Sequence, residues 1–309
     1  MSKPGVDSSP RPRPFLKWAG GKGQLLARFE PYWPASFGRY FEPFVGGGAV
    51  FFHLYNSGRL AGKEVVLADG LEELINCFGV VRDRVEDLIA ALGRHEPHKL
   101  DRDYYGRVRA WDREPDFARR SEVERAARLL FLNHTGYNGL YRVNRRGQFN
   151  VPFGRYWNPT VCDAPNLRAA SEALAGVRLA AADFETALSE AGPGDLVYLD
   201  PPYQPLSATA HFTAYTAGDF DLEDQRRLAS VFRELDARGC HLLLSNSDTE
   251  LVRRLYAGCE QIVFQAARPI NSHARDRGPV PELLVLGRTL APGSSAQGGE
   301  GRGEGGYPV

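Results

Sequence analysis

Asp200-Pro201-Pro202-Tyr203 joins an acidic acceptor, two imino acids and an aromatic ring at the end of a short apolar run, Asp195 to Leu199. Pro201 and Pro202 carry no N–H and stiffen the turn, so this backbone offers carbonyls only. A carboxylate and a carbonyl beside a flat ring suit the exocyclic amine of a planar base. The acceptors take its N–H protons while the ring holds the base by stacking. The same four residues also read as a proline turn with a buried tyrosine. Two further stretches accompany them: PFLKWAGGKGQLL from Pro14 to Leu26, and YFEPFVGGGAVFF from Tyr40 to Phe52. In the second, Gly46-Gly47-Gly48 allow close backbone approach to a ligand. GGGA is neither G-x-G-x-x-G nor a P-loop, which argues against a phosphate-cradling ATPase. Asp69 closes the apolar run from Glu64, where a carboxylate suits ribose hydroxyls and points to an adenosine-bearing cofactor.

Such groups must be brought together by strand ends. Tyr40–Val45, Glu64–Ala68, Gly176–Ala182, Asp195–Leu199 and Gly239–Leu244 are short apolar runs separated by helix-length amphipathic segments. That alternation predicts an α/β fold, a parallel sheet with helices on both faces. Ligands then bind beyond the carboxyl ends of the strands, at Gly46, Asp69, Asp183, Asp200 and Asn246. Residues 81–174 interrupt the alternation. Their first part is helical and charged, and NHTGYNGLYRVNRRGQFNVPFGRY (Asn133 to Tyr156) predicts an ordered loop and a β-hairpin turning near Arg145-Arg146-Gly147. Amide, arginine and aromatic side chains there supply donors for bases and phosphates: Arg142 suits guanine, while Asn138 and Asn144 suit adenine. The amides serve equally to stabilise a hairpin. The expected organisation is therefore a tail over 1–13, a cofactor-binding domain over 14–80 and 175–291, an inserted recognition subdomain over 81–174, and a Gly-rich tail over 292–309. Neither tail has the apolar content to offset its ordering entropy, and both are expected to be disordered.

The chain has 309 residues, 43% of them hydrophobic and 25% charged, an ordinary globular mixture. No apolar run approaches the roughly 20 residues that cross a bilayer, and no apolar core follows the basic N-terminus as in a secretory signal. Cys77, Cys162, Cys240 and Cys259 lie far apart, which fits a reducing cytoplasm rather than a zinc ribbon or disulfide framework. Lys and Arg number 38 and balance 38 Asp and Glu. From Arg125 to Ala182, however, eight arginines face only Asp163 and Glu172, a local footprint for a polyanion or an arginine-rich solvated face.

The order FLKWAGGK, EPFxGGGAVFF, NGLYRxNxxGxFNVPFG and DPPYxPxSxTxxFTxY resembles the Dam-type (D12 class, alpha group) DNA adenine-N6 methyltransferases, from Phe15 to about Leu286. The resemblance implies a Rossmann-like methyltransferase sheet, S-adenosyl-L-methionine as cofactor and methyl transfer to adenine N6 in double-stranded DNA. By position, Trp18 and Lys22 fall in the N-terminal cofactor motif. Phe44, Gly46, Gly47 and Gly48 would surround the methionine part, Asp69 the ribose, and Asp183 with Phe184 the cofactor's adenine. Asp200, Pro201, Pro202 and Tyr203 would be catalytic, with Asp200 also lining the cofactor site. Asn138, Leu140, Arg142, Asn144, Arg145 and Arg146 would meet DNA, with GATC the expected target. One departure is visible: Gly70-Leu71 follow Asp69, where the family often has Asn two places on. Adenine N6 is a poor nucleophile because its lone pair is delocalised into the ring. Hydrogen bonds from it to Asp200 and the Pro201 carbonyl would favour a pyramidal nitrogen, and the remaining task is in-line placement of the methyl group. Tyr203, with Phe212 or Tyr215, would stack the flipped base. No metal is expected, and His134 and His211 read as structural. The polar loop from Arg268 to Leu284, with Arg275 and Arg277, would face DNA. A cytosine-N4 methyltransferase and a catalytically silent DNA-binding relative are the alternatives. A cytoplasmic, nucleoid-associated monomer without membrane contact is expected, with a cognate restriction endonuclease as a partner that forms no stable complex.

Overall fold

The computed structural model describes residues 10–18, 22–203, 220–266 and 280–291. Phe212 and Tyr215, expected to stack the base with Tyr203, as well as His211, Arg275, Arg277 and residues 1–9 and 292–309, lie outside them.

The strands are β1 (Tyr40–Glu42), β2 (Val65–Asp69), β3 (Arg178–Ala181), β4 (Leu196–Leu199), β5 (His241–Ser247), β6 (Glu260–Ala266) and β7 (Val280–Leu286). They form one seven-stranded sheet in the order β3-β2-β1-β4-β5-β7-β6. β1 to β5 pair in parallel. Every residue of β1 and β4 is buried, as expected of strands covered on both faces. All five expected runs are strands. The sheet is not purely parallel, however: β7 runs antiparallel to both β5 and β6. β6 and β7 are consecutive in the chain and lie side by side in the sheet. The antiparallel run brings the first residues of β7 to the carboxyl edge of β4 and β5.

Helices α1 (Leu26–Phe29), α2 (Ala49–Asn56), α3 (Glu72–Asp83), α4 (Val85–His95), α5 (Arg102–Ala110), α6 (Glu122–Thr135), α7 (Ala164–Leu174), α8 (Phe184–Leu188), α9 (Leu222–Arg238) and α10 (Glu250–Leu255) complete the fold. α6 starts in a capping box between Ser121 and Glu124, and α9 in one between Asp221 and Asp224. One face of the sheet packs Phe41, Val197 and Leu199 against Phe184, Leu228 and Phe232. The other face shares a single apolar cluster with the inserted helices, running from Leu67 and Tyr198 through Phe78 and Leu88 to Phe131 and Phe149. The insertion is thus fused to the sheet, and the expected boundary at residue 81 falls inside α3. Pro12 and Arg13, placed by sequence in the N-terminal tail, are bonded to the body of the fold. Arg13 N–H donates to Asn166 Oδ1 at 3.0 Å, its guanidinium pairs with Asp163, and the Pro12 carbonyl accepts from Asn56.

Glu42 ends β1 deep in the core, 2% exposed, where Oε2 accepts a hydrogen bond from Tyr40 at 2.8 Å. Burial pushes its carboxyl up to about 8. Between the ordinary glutamate value and about 8, the folded chain holds one proton more than the unfolded chain. This contribution to stability is therefore full at acid pH and is lost as pH rises through that window, at a limiting slope of about 1.4 kcal/mol per unit. Glu42→Gln, which keeps an acceptor for Tyr40, is expected to flatten this component and to raise the melting temperature at pH 8. Parallel melts of the two proteins from pH 5 to 8 check it, and equal slopes would remove Glu42 from the account.

Candidate active site

Asp200 follows β4 directly, and its two carboxylate oxygens differ in their surroundings. Oδ1 lies 2.8 Å from Lys22 Nζ and accepts from Ser245 Oγ at 3.0 Å. Ser245 Oγ is in turn 2.8 Å from the hydroxyl of Tyr198. No described residue donates to Oδ2. Burial raises the Asp200 carboxyl above the usual aspartate range, and Lys22 and Ser245 act against that rise. Lys22 is itself buried, and its ammonium lies 4.6 Å from the centre of the Tyr203 ring. The Tyr203 hydroxyl donates to Glu282 Oε2 at 2.9 Å. The proline turn between them is braced from α9: Gln225 Nε2 donates to the Pro202 carbonyl at 3.1 Å, and Asn246 Nδ2 donates to Gln225 Oε1 at 3.1 Å. The Pro201 carbonyl accepts no hydrogen bond from the described residues. Among the described residues, then, a carboxylate oxygen and a carbonyl that accept no hydrogen bond stand beside a ring, a set that suits an exocyclic amine.

Along the same edge, Asp69 Oδ2 accepts from Gly46 N–H at 3.1 Å and Oδ1 from Leu71 N–H at 3.0 Å. Its burial pushes the carboxyl up to about 6. Gly46 and Gly48 have φ of 48° and 73°, in the left-handed region. A side chain on Gly46 would also meet Trp18, at 2.8 Å from the nearest ring atom, so this glycine makes room for an indole of the same protein. Phe44, Phe184 and Phe220 form an aromatic cluster, with Phe44 5.6 Å from Phe184 and 5.8 Å from Phe220. Asp183 caps α8 by accepting from Glu185 N–H at 3.0 Å, and the same Oδ1 accepts from Arg227 at 3.1 Å.

The expected hairpin is present and short. Val143 and Phe149 form an antiparallel bridge, and Asn144 accepts from Gly147 N–H across a turn in which Gly147 has φ 73°. Asn144 Oδ1 accepts from the backbone of Arg146 and Gln148, so this amide builds the turn. Asn138 takes φ 54°, which asparagine tolerates better than most residues, and Leu140 packs against the core. Arg142 Nε donates to Asn150 Oδ1 at 2.7 Å, whereas Arg145 and Arg146 are exposed. Four of the eight arginines counted in this region are consumed by ion pairs: Arg125 with Glu73, Arg128 with Asp112, Arg168 with Glu86 and Arg178 with Glu190. Arg142, Arg145, Arg146 and Arg155 have no acidic partner among the described residues. The surplus charge is thus concentrated on the hairpin and its exit.

The N-terminal motif is the bridge between hairpin and edge. Asn133, buried at the end of α6, accepts from Lys17 N–H and donates to the carbonyls of Lys17 and Gly139. His134 Nε2 lies 2.9 Å from the Phe15 carbonyl, and burial holds its imidazole below the ordinary value, so it is a backbone-contacting residue. Trp18 stacks on Tyr141, with ring centres 5.8 Å apart. Sequence reasoning did not find Tyr198, Glu282, Gln225 or Glu42. The first two hydroxyl and carboxyl groups sit inside strands that read as plain apolar or polar runs, and only the register of the sheet turns them towards Asp200 and Tyr203. Asn246, by contrast, stood out as a polar strand end.

The family model for D12 class N6 adenine-specific DNA methyltransferases matches residues 18–269. Type II methyltransferase M1.LlaDCHI of Lactococcus lactis subsp. cremoris is 42% identical over 275 residues, covering 88% of this chain and 94% of the relative. Type II methyltransferase M.MjaIII of Methanocaldococcus jannaschii is 42% identical over 291 residues, with 89% and 98% covered. DNA adenine methylase of Escherichia coli K12 is 38% identical over 276 residues, with 89% and 95% covered. None of these matches favours cytosine N4 as the acceptor. With a Rossmann-like methyltransferase sheet, a carboxylate–proline–tyrosine turn at its edge and similarity along most of its length, the chain belongs to the D12 class of N6 adenine-specific DNA methyltransferases.

Proposed function

We propose that this adenine-N6 DNA methyltransferase draws its methyl group from S-adenosyl-L-methionine and acts on an adenine turned out of double-stranded DNA into the space beside Asp200 and Tyr203. Asp200 carries this reading, since Oδ1 is held by Lys22 and Ser245 while Oδ2 accepts nothing from the described residues. The donor set of the edge fits the cofactor. Asp69 offers a carboxylate for ribose hydroxyls, Phe44 and Phe184 an aromatic wall for its adenine, and Asp183 an acceptor for that ring's amino group. When bound, S-adenosyl-L-methionine supplies an electrophilic methyl group on a sulfonium. The protein's part is to present the nucleophile. Asp200 Oδ2 and the Pro201 carbonyl accept the N–H groups of adenine N6, and the Tyr203 ring stacks the base, which holds the nitrogen lone pair in line. The N6 proton departs after methyl transfer, when the nitrogen has become strongly acidic, and Asp200 lies nearest to take it.

The hairpin is read as the DNA-contacting element, with Asn138, Leu140 and Arg142 at base edges or sugar-phosphate and Arg145 and Arg146 on phosphates. Asn144 contributes by shaping the turn. GATC is the target to test first. Two relatives named type II methyltransferases support pairing with a cognate restriction endonuclease. Among the described residues no helix is long and apolar enough to cross a membrane, and an enzyme acting on chromosomal DNA belongs in the cytoplasm.

Labelled S-adenosyl-L-methionine incubated with unmethylated genomic DNA is expected to give label in N6-methyladenine, lost by at least about a hundredfold in Asp200→Ala. Label in N4-methylcytosine, or full activity of the variant, would refute the assignment. Because burial raises Asp200 and Lys22 opposes the rise, kcat/KM should fall on the acid side as Asp200 takes up a proton. Lys22→Met removes the opposing charge and should move that acid limb to higher pH, whatever it does to the maximum. Arg145→Ala and Arg146→Ala should each weaken duplex binding at any sequence and reduce the slope of log K against log salt by about 1. Titrations at several salt concentrations check this.

A further inference from the structure

β7 is the strand that the parallel pattern does not require, and its antiparallel direction gives it a role at the site. Glu282 stands opposite Ser247 of β5 and Phe264 of β6, so its side chain starts from the ligand edge beside Asn246 and Asp200. There Oε2 accepts the Tyr203 hydroxyl at 2.9 Å, the hydrogen bond that holds the tip of the ring. Lys22 approaches the same ring at 4.6 Å, so the phenol is fixed between a carboxylate at its tip and an ammonium near the ring. Two prolines fix the backbone just before Tyr203, but they do not fix the rotation of its side chain about Cα–Cβ. A ring that stacks a base must keep one orientation through the reaction. The position of a nucleophile within a fraction of an ångström sets how often it is in line.

We propose that Glu282 is a positioning residue, which orients the Tyr203 ring for the target base through this hydrogen bond and does not itself touch the reacting atoms. This rests on the reading of Tyr203 as the stacking ring. Glu282's own carboxyl is raised by burial and lowered by Lys22 and Tyr203, in keeping with its place inside the network. Glu282 thus acts through Tyr203 on the chemical step, while cofactor and duplex affinity depend on other parts of the edge and on the hairpin.

The test uses the full chain, a short duplex carrying the target site and a second duplex with 2-aminopurine at the target adenine. Glu282→Ala and Tyr203→Phe are each expected to lower single-turnover methyl transfer by about ten- to a hundredfold, the effect of losing one hydrogen bond to a charged group. Cofactor and duplex dissociation constants should stay within about twofold of wild type. The double variant should be no slower than either single one, because both remove the same bond. In both singles the 2-aminopurine signal should brighten at saturating enzyme, as a flipped base loses its fixed stack. Glu282→Gln keeps an acceptor for the hydroxyl and should restore most of the rate, which separates orientation from charge. Rates that multiply in the double variant would overturn the proposal. So would a Gln variant as slow as the Ala variant, which would assign Glu282 to charge balance with Lys22. Should Glu282→Ala melt below the assay temperature, the Gln and Phe variants still decide. Tyr203→Ala at the wild-type rate would instead remove the stacking role itself, a failure distinct from that of Glu282.

Discussion

A carboxylate needs partners for its charge where little water reaches it, and Asp200 is such a group, its side chain 21% exposed. Asp200 lies at the end of a fully buried strand, and burial raises its carboxyl above the usual aspartate range. The Lys22 ammonium and the Ser245 hydroxyl supply what the solvent would have supplied, and both engage the same oxygen. Much of the surrounding architecture follows from that need. The segment carrying Lys22 has to reach the sheet edge, β5 has to set Ser245 beside β4, and Tyr198 has to orient Ser245 from the neighbouring position on the strand. Among the described residues this arrangement leaves the other carboxylate oxygen without a donor.

Phe15, Lys17, Trp18 and Lys22 also tie the hairpin to the sheet edge. The backbone of this segment is held by Asn133 and His134 at the end of α6, and its indole stacks on Tyr141 at the start of the hairpin. Asn133 also holds the carbonyl of Gly139, so one buried amide joins the N-terminal segment to the hairpin. The path from the hairpin to Asp200 is then short: Tyr141 to Trp18 by stacking, Trp18 to Lys22 along the chain, Lys22 to Asp200 by charge. An electrically neutral chain also keeps a positive surface by this division of labour. Arg125, Arg128 and Arg168 on the helices are spent on carboxylates, whereas Arg142, Arg145 and Arg146 on the hairpin have no acidic partner among the described residues.

How the insertion and the sheet share a core has a related consequence. Phe78, Leu88, Phe131 and Phe149 belong to the same apolar cluster as Leu67 and Tyr198. The inserted helices are consequently not a separately packed unit tethered by a linker, but a layer of the sheet's own packing. Changes in α3 or α6 will be felt at the strand ends.

The strands, the polar residues that end them, the hairpin turn and the placement of the DPPY turn at a strand end were legible from the sequence alone. Each depends on local pattern: continuous apolar runs for buried parallel strands, Asn and Gly for a tight turn, proline for a backbone without donors. The resemblance to the D12 family rested on the same local motifs in their order. What only the tertiary structure decided is how side chains far apart in sequence pair. No local pattern distinguishes Arg128, spent on Asp112, from Arg145, left exposed. Nor does any pattern say that Gly46 makes room for Trp18, or that an antiparallel last strand carries Glu282 to Tyr203. Burial and ion pairing are properties of the packed chain, set by register and by which faces meet, and a strand read by itself carries no information about its partner.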